Sequence, residues 1–189
     1  LSGCEEERWS GIKHDSSFPK KSINWVLSEN NLTMKDVDQV CWYENPNLKK
    51  DRVLNIFNKH FFKTFWTKRR FLREFKQNDP VKLLSSLGYY GDIVYTDHHI
   101  SHAAFSYYTS PFKESAVLTI DGVGEWTTAA IYNISQNGNK IEEKLSINFP
   151  NSLGMLYSTI TAFLGFKPNE GEYKVMGLAP YGDSNKYYS

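Results

Sequence analysis

Two periods of apolar residues run through this chain, and the switches between them mark its elements. Ile23, Val26 and Leu27 recur at helical spacing within 20–30, with Asn30-Asn31 as a stop signal. Val37 to Tyr43 is short and β-rich, which predicts a strand, while residues 1–19 predict only a strand end or loop. Over 51–76, Val53, Ile56, Phe57, Phe61, Phe65, Leu72 and Phe75 recur near helical spacing, interleaved with Lys59, Lys63, Lys68, Arg69, Arg70, Arg73 and Lys76. A short helix over 81–87 then closes at Gly88, so 51–88 reads as a helical insertion.

Ile93-Val94-Tyr95 predicts a strand, and an Ala/Phe/Tyr-rich helix follows from Asp97, an N-cap residue type. Ala116 to Ile120 predicts a strand ending at Asp121. Strands over 126–134 and 140–149 are joined through Gln136-Asn137-Gly138-Asn139, where Asn-Gly is a hairpin signal. The few residues between Asp121 and Trp126 exclude a parallel crossover, so those strands must run antiparallel. Ser152 to Leu164 predicts an apolar helix opened by Asn151 or Ser152, and 167–182 a Gly-punctuated loop with a short helix. The expected fold class is α/β with α+β character. An antiparallel hairpin stands at the centre of the sheet, and helices over 99–109 and 152–164 cover it.

Composition narrows the function classes. At 189 residues the chain can bury one core with a smaller lobe beside it, and 15% aromatic residues make it globular. A net charge of +1 gives no electrostatic ground for a nucleic-acid partner. The basic aromatic stretch 51–76 has the form of a membrane- or nucleic-acid-binding helix. Without a second basic patch, it reads better as a helix packed on its own domain with a solvated basic face. Cys4 and Cys41 form no paired motif, which suits a reducing compartment. There is no transmembrane-length apolar run, and Glu5-Glu6-Glu7 is unlike a signal peptide, so a cytoplasmic location without membrane partners is expected. The lack of an initiator Met points to a fragment or a processed chain.

The chemistry concentrates in Asp97-His98-His99-Ile100-Ser101-His102 and in Asp121-Gly122-Val123-Gly124-Glu125. On a helix, His98 and His102 at i and i+4 share one face, as paired metal ligands do. Asp121 at a strand end completes a two-His, one-carboxylate set with open positions. Two His four apart also arise by chance, His99 between them leaves the assignment open, and Asp-Gly is also an ordinary hairpin turn. Strand, His-rich helix, strand and Asp-Gly-x-Gly-Glu together form a βαβ-like block that favours a site. A strand ending in Asp-Gly-x-Gly is also the phosphate-cradling arrangement of actin-like and hexokinase-like nucleotide folds.

Several ordered segments carry a resemblance: 97–104 and Ser110-Pro111-Phe112; 117–128; Gly171-Glu172-Tyr173-Lys174-Val175-Met176-Gly177-Leu178-Ala179-Pro180-Tyr181-Gly182; and Glu5-Glu6-Glu7-Arg8 with Lys13-His14 and Phe18-Pro19. Together they resemble the carbamoyltransferases of nodulation-factor and antibiotic biosynthesis. The resemblance implies that 1–189 is the N-terminal half of an actin-like, ribonuclease-H-like domain related to tRNA threonylcarbamoyl transferases. The first β-hairpin, the second half and an adenylate-forming domain would be missing. In such an enzyme ATP and carbamoyl phosphate give carbamoyl-adenylate in the other domain. The actin-like domain then passes the carbamoyl group to a hydroxyl of a sugar or small molecule, using Fe2+ or a similar divalent ion.

By motif, His98, His102 and Asp121 match metal ligands, with a fourth, an Asp, beyond residue 189. The family's catalytic base belongs to the missing opening segment, so no catalytic residue is named, and His14 matches a different His. The amides of Gly122 and Gly124, and the helix start at Ser152 and Gly154, are expected at the adenylate phosphate. Glu170, Gly171 and Lys174 are expected at ribose or phosphate, although without the resemblance Lys174 reads as a solvated loop lysine. Lys13 matches a substrate contact. The expected partners are the acceptor and an adenylate-forming domain in cis, and a homodimer is admissible. The parent would be the enzyme and the piece alone inactive. The alternatives are a non-catalytic nucleotide- or metal-binding module and a threonylcarbamoyl transferase-type subunit.

Overall fold

The computed structural model describes residues 2–13, 15–59, 69, 72, 73, 75, 76 and 78–187. The chain divides into two compact units, residues 1–96 and 97–189. Each is mixed α and β.

The first unit opens with a short helix, α1 (Glu7–Ser10), where the sequence predicts only a strand end or loop. Gly11, at φ 70°, closes it in the left-handed conformation that glycine adopts freely. Glu6 then organises the next helix, α2 (Lys20–Glu29), whose own N-cap, Pro19, offers no side-chain acceptor. The Glu6 carboxylate accepts the backbone N–H of Lys21 at 3.2 Å and that of Ser22 at 2.9 Å. An acidic group at a helix N-terminus also favours the helix dipole.

Strand β1 (Val40–Trp42) pairs in parallel with β2 (Ile93–Tyr95). Parallel strands need a long crossover, and the predicted 51–88 insertion lies inside it. Residue 51 is not an element boundary, because helix α3 (Pro46–Lys59) already begins at Pro46. There the Asn45 side chain accepts the amides of Asn47 and Leu48 at 3.1 and 3.4 Å, and proline at the first helical position needs no donor partner. Helix α4 (Pro80–Ser85) repeats the device with Asp79 accepting from Val81 at 3.1 Å. Residues 60–68, 70, 71, 74 and 77, and with them most of the basic aromatic stretch, lie outside the described residues.

The second unit carries the predicted meander. After helix α5 (His98–Tyr108) come β3 (Ser115–Ile120), β4 (Thr127–Ser135) and β5 (Lys140–Asn148), in antiparallel order β3-β4-β5. Only β4 is central, so the expected hairpin at the centre places just one of its strands there. Nor does the βαβ-like block form one sheet: β2 pairs with β1, and β3 with β4. The Asn-Gly turn is realised, with Gln136, Asn137 and Gly138 all at positive φ.

The inner sheet face packs on α5. Ala103 and Tyr107 meet Ala130, Tyr132 and Ile134, flanked by Ile100, Val117 and Ile141. Spacings of three and four residues bring Ile100, Ala103 and Tyr107 onto one helix face. A register shift between Ile131 and Tyr132 places Leu145 rather than Lys144 opposite Ile131, so that Leu145 faces outward. Helix α6 (Leu153–Phe163) is capped by the Ser152 hydroxyl, which accepts from Met155 N at 3.0 Å. The expectation that it covers the sheet is corrected: it lies beside Ile120 and leaves Leu118, Leu145 and Ile147 exposed. Helix α7 (Glu172–Leu178) follows it. Among the described residues no helix is long and apolar enough to cross a membrane.

Candidate metal centre

The first turn of α5 and the end of β3 converge on one point. His98 Nε2 lies 2.8 Å from Asp121 Oδ2, His102 Nε2 lies 3.0 Å from His98 Nε2, and His102 Nε2 lies 3.7 Å from Asp121 Oδ2. One ligand atom from each of the three lies within 4.8 Å of the others. Helical spacing brings the two imidazoles edge to face, with 4.7 Å between ring centres and 81° between planes, and β3 delivers Asp121 at its C-terminal end. His98 is mostly buried and His102 half exposed, so the cluster opens to solvent on the His102 side.

The donor set fits a cation. An ion about 2.1 Å from each donor holds neighbouring donors roughly 3.0 Å apart at a right angle and roughly 3.4 Å at a tetrahedral one. The observed separations bracket those values. Protons alone serve the trio poorly, because His98 Nε2 cannot donate to Asp121 while accepting from His102. Two neutral imidazoles and a carboxylate suit a borderline divalent metal with open positions.

Asp121 is held from several sides. Its Oδ1 accepts the Gly122 amide at 2.6 Å, and its own amide donates to Thr128 O at 2.9 Å. The His98 hydrogen bond holds its carboxyl well below the usual carboxylate range, against the opposing effect of burial and with help from the Gly122 amide. Asp121 is therefore anionic at neutral pH.

Two residues that position the cluster escaped the sequence reading. Asp97 occupies the N-cap of α5 but makes no side-chain cap bond. Glu125, only 6% exposed, caps the helix instead: both of its carboxylate oxygens accept the His98 amide, at 3.2 and 3.1 Å. Burial, then the charges of Glu125 and Glu143, push the Asp97 carboxyl up. His99, which left the ligand assignment open, turns away from the cluster. It is 1% exposed, and its Nδ1 shares a 2.8 Å hydrogen bond with Thr119 Oγ1 on β3. Burial pushes its imidazole down, toward the neutral form. The glutamate was visible in Asp-Gly-x-Gly-Glu, but only the folded turn shows that it reaches back to α5.

The expected phosphate contacts are arranged otherwise. The Gly122 amide is spent on Asp121, and the Gly124 amide donates to Thr127 O at 2.9 Å, because a short turn between antiparallel strands closes on its own amides. The Ser152 hydroxyl accepts from Met155 N and donates to Gly122 O at 2.6 Å. Gly154 packs directly on the Asp121–Gly122 peptide. Glu170 pairs with Lys167, Gly171 packs on Phe166 and Lys167, and Lys174 Nζ sits 5.8 and 5.9 Å from the ring centres of Phe166 and Tyr173. The contacts given for Glu170, Gly171 and Lys174 do not involve the His98–His102–Asp121 trio. Lys13 is an exposed turn residue of the first unit, and His14 lies outside the described residues.

Comparison with known proteins agrees with the sequence segments. The family model described as "Carbamoyltransferase N-terminus" matches residues 1–188. The uncharacterized protein sll1178 of Synechocystis sp. is 39% identical over 97% of this chain and 31% of its own length. The nodulation protein NolNO of Sinorhizobium fredii is 32% identical over 97% of this chain and 26% of its own. The nodulation protein NolO of Bradyrhizobium diazoefficiens is 38% identical over 48% of this chain and 16% of its own. This chain thus spans about a third or less of the length of these relatives. It belongs to the carbamoyltransferase family, matching the family's N-terminal part.

Proposed function

We propose that this chain is the metal-bearing part of an O-carbamoyltransferase, which transfers a carbamoyl group from carbamoyl-adenylate to a hydroxyl of a sugar or other small acceptor. The observation that carries the reading is the convergence of His98, His102 and Asp121, joined to family membership. The three-stranded meander with Asp121 at the end of its first strand supports an actin-like, ribonuclease-H-like domain. The remaining domain parts, and an adenylate-forming domain using ATP and carbamoyl phosphate, are assigned to the longer polypeptide.

In this reading His98, His102 and Asp121 hold Fe2+ or a similar divalent ion. When bound, the ion supplies Lewis-acid polarisation and a template for the activated carbonyl and the acceptor. The protein's own residues prepare the place. Asp121 contributes a full negative charge, Glu125 pins the amide of His98, and the neutral His99 anchors α5 to Thr119. A carbamoyl-adenylate is a mixed anhydride, already activated, so alignment with the hydroxyl is the main demand on the site. The N-terminus of α6, which approaches Asp121 through Gly154, is the helix end assigned to the adenylate phosphate. Glu170, Gly171 and Lys174 complete the nucleotide assignment, and Lys13 the substrate contact.

The test combines binding and turnover. Co2+ or Fe2+ titrated into the 189-residue chain should bind, and His102→Ala should weaken binding by more than the roughly 10–100-fold that outer-sphere partners command. The complete protein encoded by the gene, given ATP, carbamoyl phosphate and a hydroxyl acceptor, should form the carbamoyl ester. His98→Ala or Asp121→Ala should abolish transfer while adenylate formation survives, and the 189-residue chain alone should be inactive. Undiminished transfer by both variants would remove the ion from the mechanism. Metal binding without turnover in the complete protein would favour a non-catalytic module.

A further inference from the structure

The turn that follows β3 carries two glycines, and they stand in different surroundings. Neither has a positive φ, so neither is demanded by backbone conformation. A Cβ at Gly122 would meet nothing within 4 Å. A Cβ at Gly124 would stand 2.9 Å from His98 Cβ, 3.2 Å from His98 Cδ2 and 3.1 Å from His99 Cδ2. What Gly124 supplies is therefore room: its bare Cα lets the turn close onto the side chain of His98.

Neither surface has room to retreat. The turn is pinned to β4 by the Asp121 amide on Thr128 O and the Gly124 amide on Thr127 O, both at 2.9 Å. The start of α6 presses on the Asp121–Gly122 peptide at Gly154. His98 Cβ is fixed in turn by the backbone of α5. That helix is held to β3 by the 2.8 Å His99–Thr119 hydrogen bond and to the sheet by Ala103 and Tyr107. The same turn grips His98 at two more points. Asp121 Oδ2 lies 2.8 Å from its Nε2, and both Glu125 carboxylate oxygens accept its backbone amide. The His98 side chain is 17% exposed and that of His102 53%, so the turn encloses the first and leaves the second open.

We infer that Gly124 is a positioning residue for His98, closing a three-point clamp that keeps the imidazole edge turned to Asp121 and His102. The inference rests on the metal reading above and deepens it. Gly124 acts at the side chain, Glu125 at the backbone amide and Asp121 at the donor nitrogen. Ordinary contact begins at 3.4 Å, so an alanine at 124 needs 3.4 − 2.9 = 0.5 Å more between its Cβ and His98 Cβ. Ligand groups must be held within about 0.5 Å of their working geometry, so a displacement of that size is one the cluster feels. His98 takes the displacement. His102 lies a helical turn further on, beyond the three nearest atoms to that Cβ, and keeps its place.

Cobalt spectroscopy on the complete protein encoded by the gene tests it. Co2+ held by imidazoles gives visible d–d bands and hyperfine-shifted proton resonances. The ring N–H of His98 is recognised by slow solvent exchange, since its Nδ1 is buried. In Gly124→Ala the Co2+ affinity should fall about 10–100-fold, the loss expected of a residue that orients a ligand without being one. The d–d bands should change, and the His98 resonances should move while those of His102 stay. A general loosening of the unit would move both sets alike, and that result overturns the proposal, as do an unchanged affinity and spectrum. The contact is also read without a variant. In the metal-free parent protein, labelled at glycine and histidine, a nuclear Overhauser effect should join the Gly124 α protons to His98 Hδ2. Its absence overturns the proposal even if Gly124→Ala does not fold. A parent protein that binds no Co2+ removes the metal reading and the clamp's purpose with it. Binding by the parent with no change in the variant leaves that reading standing and removes only the clamp.

Discussion

Replacing Gly154 by alanine tests most directly how the backbone at Asp121 is held. A Cβ at that position would stand 2.6 Å from the Asp121 carbonyl oxygen, 2.7 Å from its carbon and 2.8 Å from Gly122 N. Ordinary contact begins at 3.4 Å, so the start of α6 and the turn must part by 3.4 − 2.6 = 0.8 Å. The obstacle is backbone and cannot swing aside. It is tied to Ser152 Oγ through Gly122 O at 2.6 Å and to β4 through the Asp121 amide at 2.9 Å. Overpacking of this kind costs about 1–3 kcal/mol, and alanine's better helix propensity offsets about 0.5–1 kcal/mol of it. The expected net loss is about 1–2 kcal/mol, or roughly 5–30-fold in the ratio of folded to unfolded chain. Urea unfolding followed by circular dichroism should show a lower midpoint at unchanged slope. Co2+ affinity should fall with it, because Asp121 moves with the turn. If Gly154→Ala is as stable as the parent chain and binds Co2+ equally well, the close approach does not matter to the site and the argument fails.

Two further outcomes follow from the same geometry. Glu125→Ala removes the cap of α5 and should destabilise the unit by about 1–2 kcal/mol; Glu125→Gln, which keeps an acceptor, should recover part of that, and faster amide exchange confined to the first turn of α5 in the alanine variant would mark the loss as a capping effect. Burial, with the charges of Glu143, Asp97 and Glu125, pushes the Tyr132 phenol from 10.0 up to about 12. The folded chain thus holds that proton more tightly, so its stabilising contribution is complete below pH 10 and is lost as pH rises toward 12. Tyr132→Phe should flatten the alkaline loss of stability in urea titrations at stepped pH, and parallel curves for the two proteins would show that Tyr132 has no part in it.

Much of the second unit was legible because its signals are local. Period-two runs, the Asn137-Gly138 turn and the short gap after Asp121 together dictate an antiparallel meander, and i, i+4 spacing puts His98 and His102 on one face. What was illegible depends on partners distant in sequence or on which amide a turn consumes. Glu125 reads as one more acidic residue until β3 and β4 bring it back under His98. His99 looks like a third ligand until the sheet supplies Thr119. The amides of Gly122 and Gly124 look available to phosphate because composition does not reveal that the turn already uses them. Helix α3 starts at Pro46 because Asn45 caps it, a signal hidden ahead of the apolar periodicity that begins at Val53. The outward turn of Leu145 follows from a one-residue register shift, which no alternation pattern announces.

The separation of the donors along the chain has a consequence for how the centre comes into being. Asp121 lies only 23 positions after His98, with the rest of α5, one short loop and strand β3 between them. Closing a flexible loop of that length costs about 2.8 kcal/mol in chain entropy, apart from a constant, and each doubling would add about 0.6 kcal/mol. Helix α5 spans much of the interval and shortens the flexible part further. The three donors can therefore meet as soon as β3 and β4 pair on α5. During synthesis from the N-terminus, domains and their substructures form as they emerge. The His98–His102–Asp121 cluster can then assemble on the nascent chain while later residues are still in the ribosome, and an ion held there as proposed would act as an early tether for the fold.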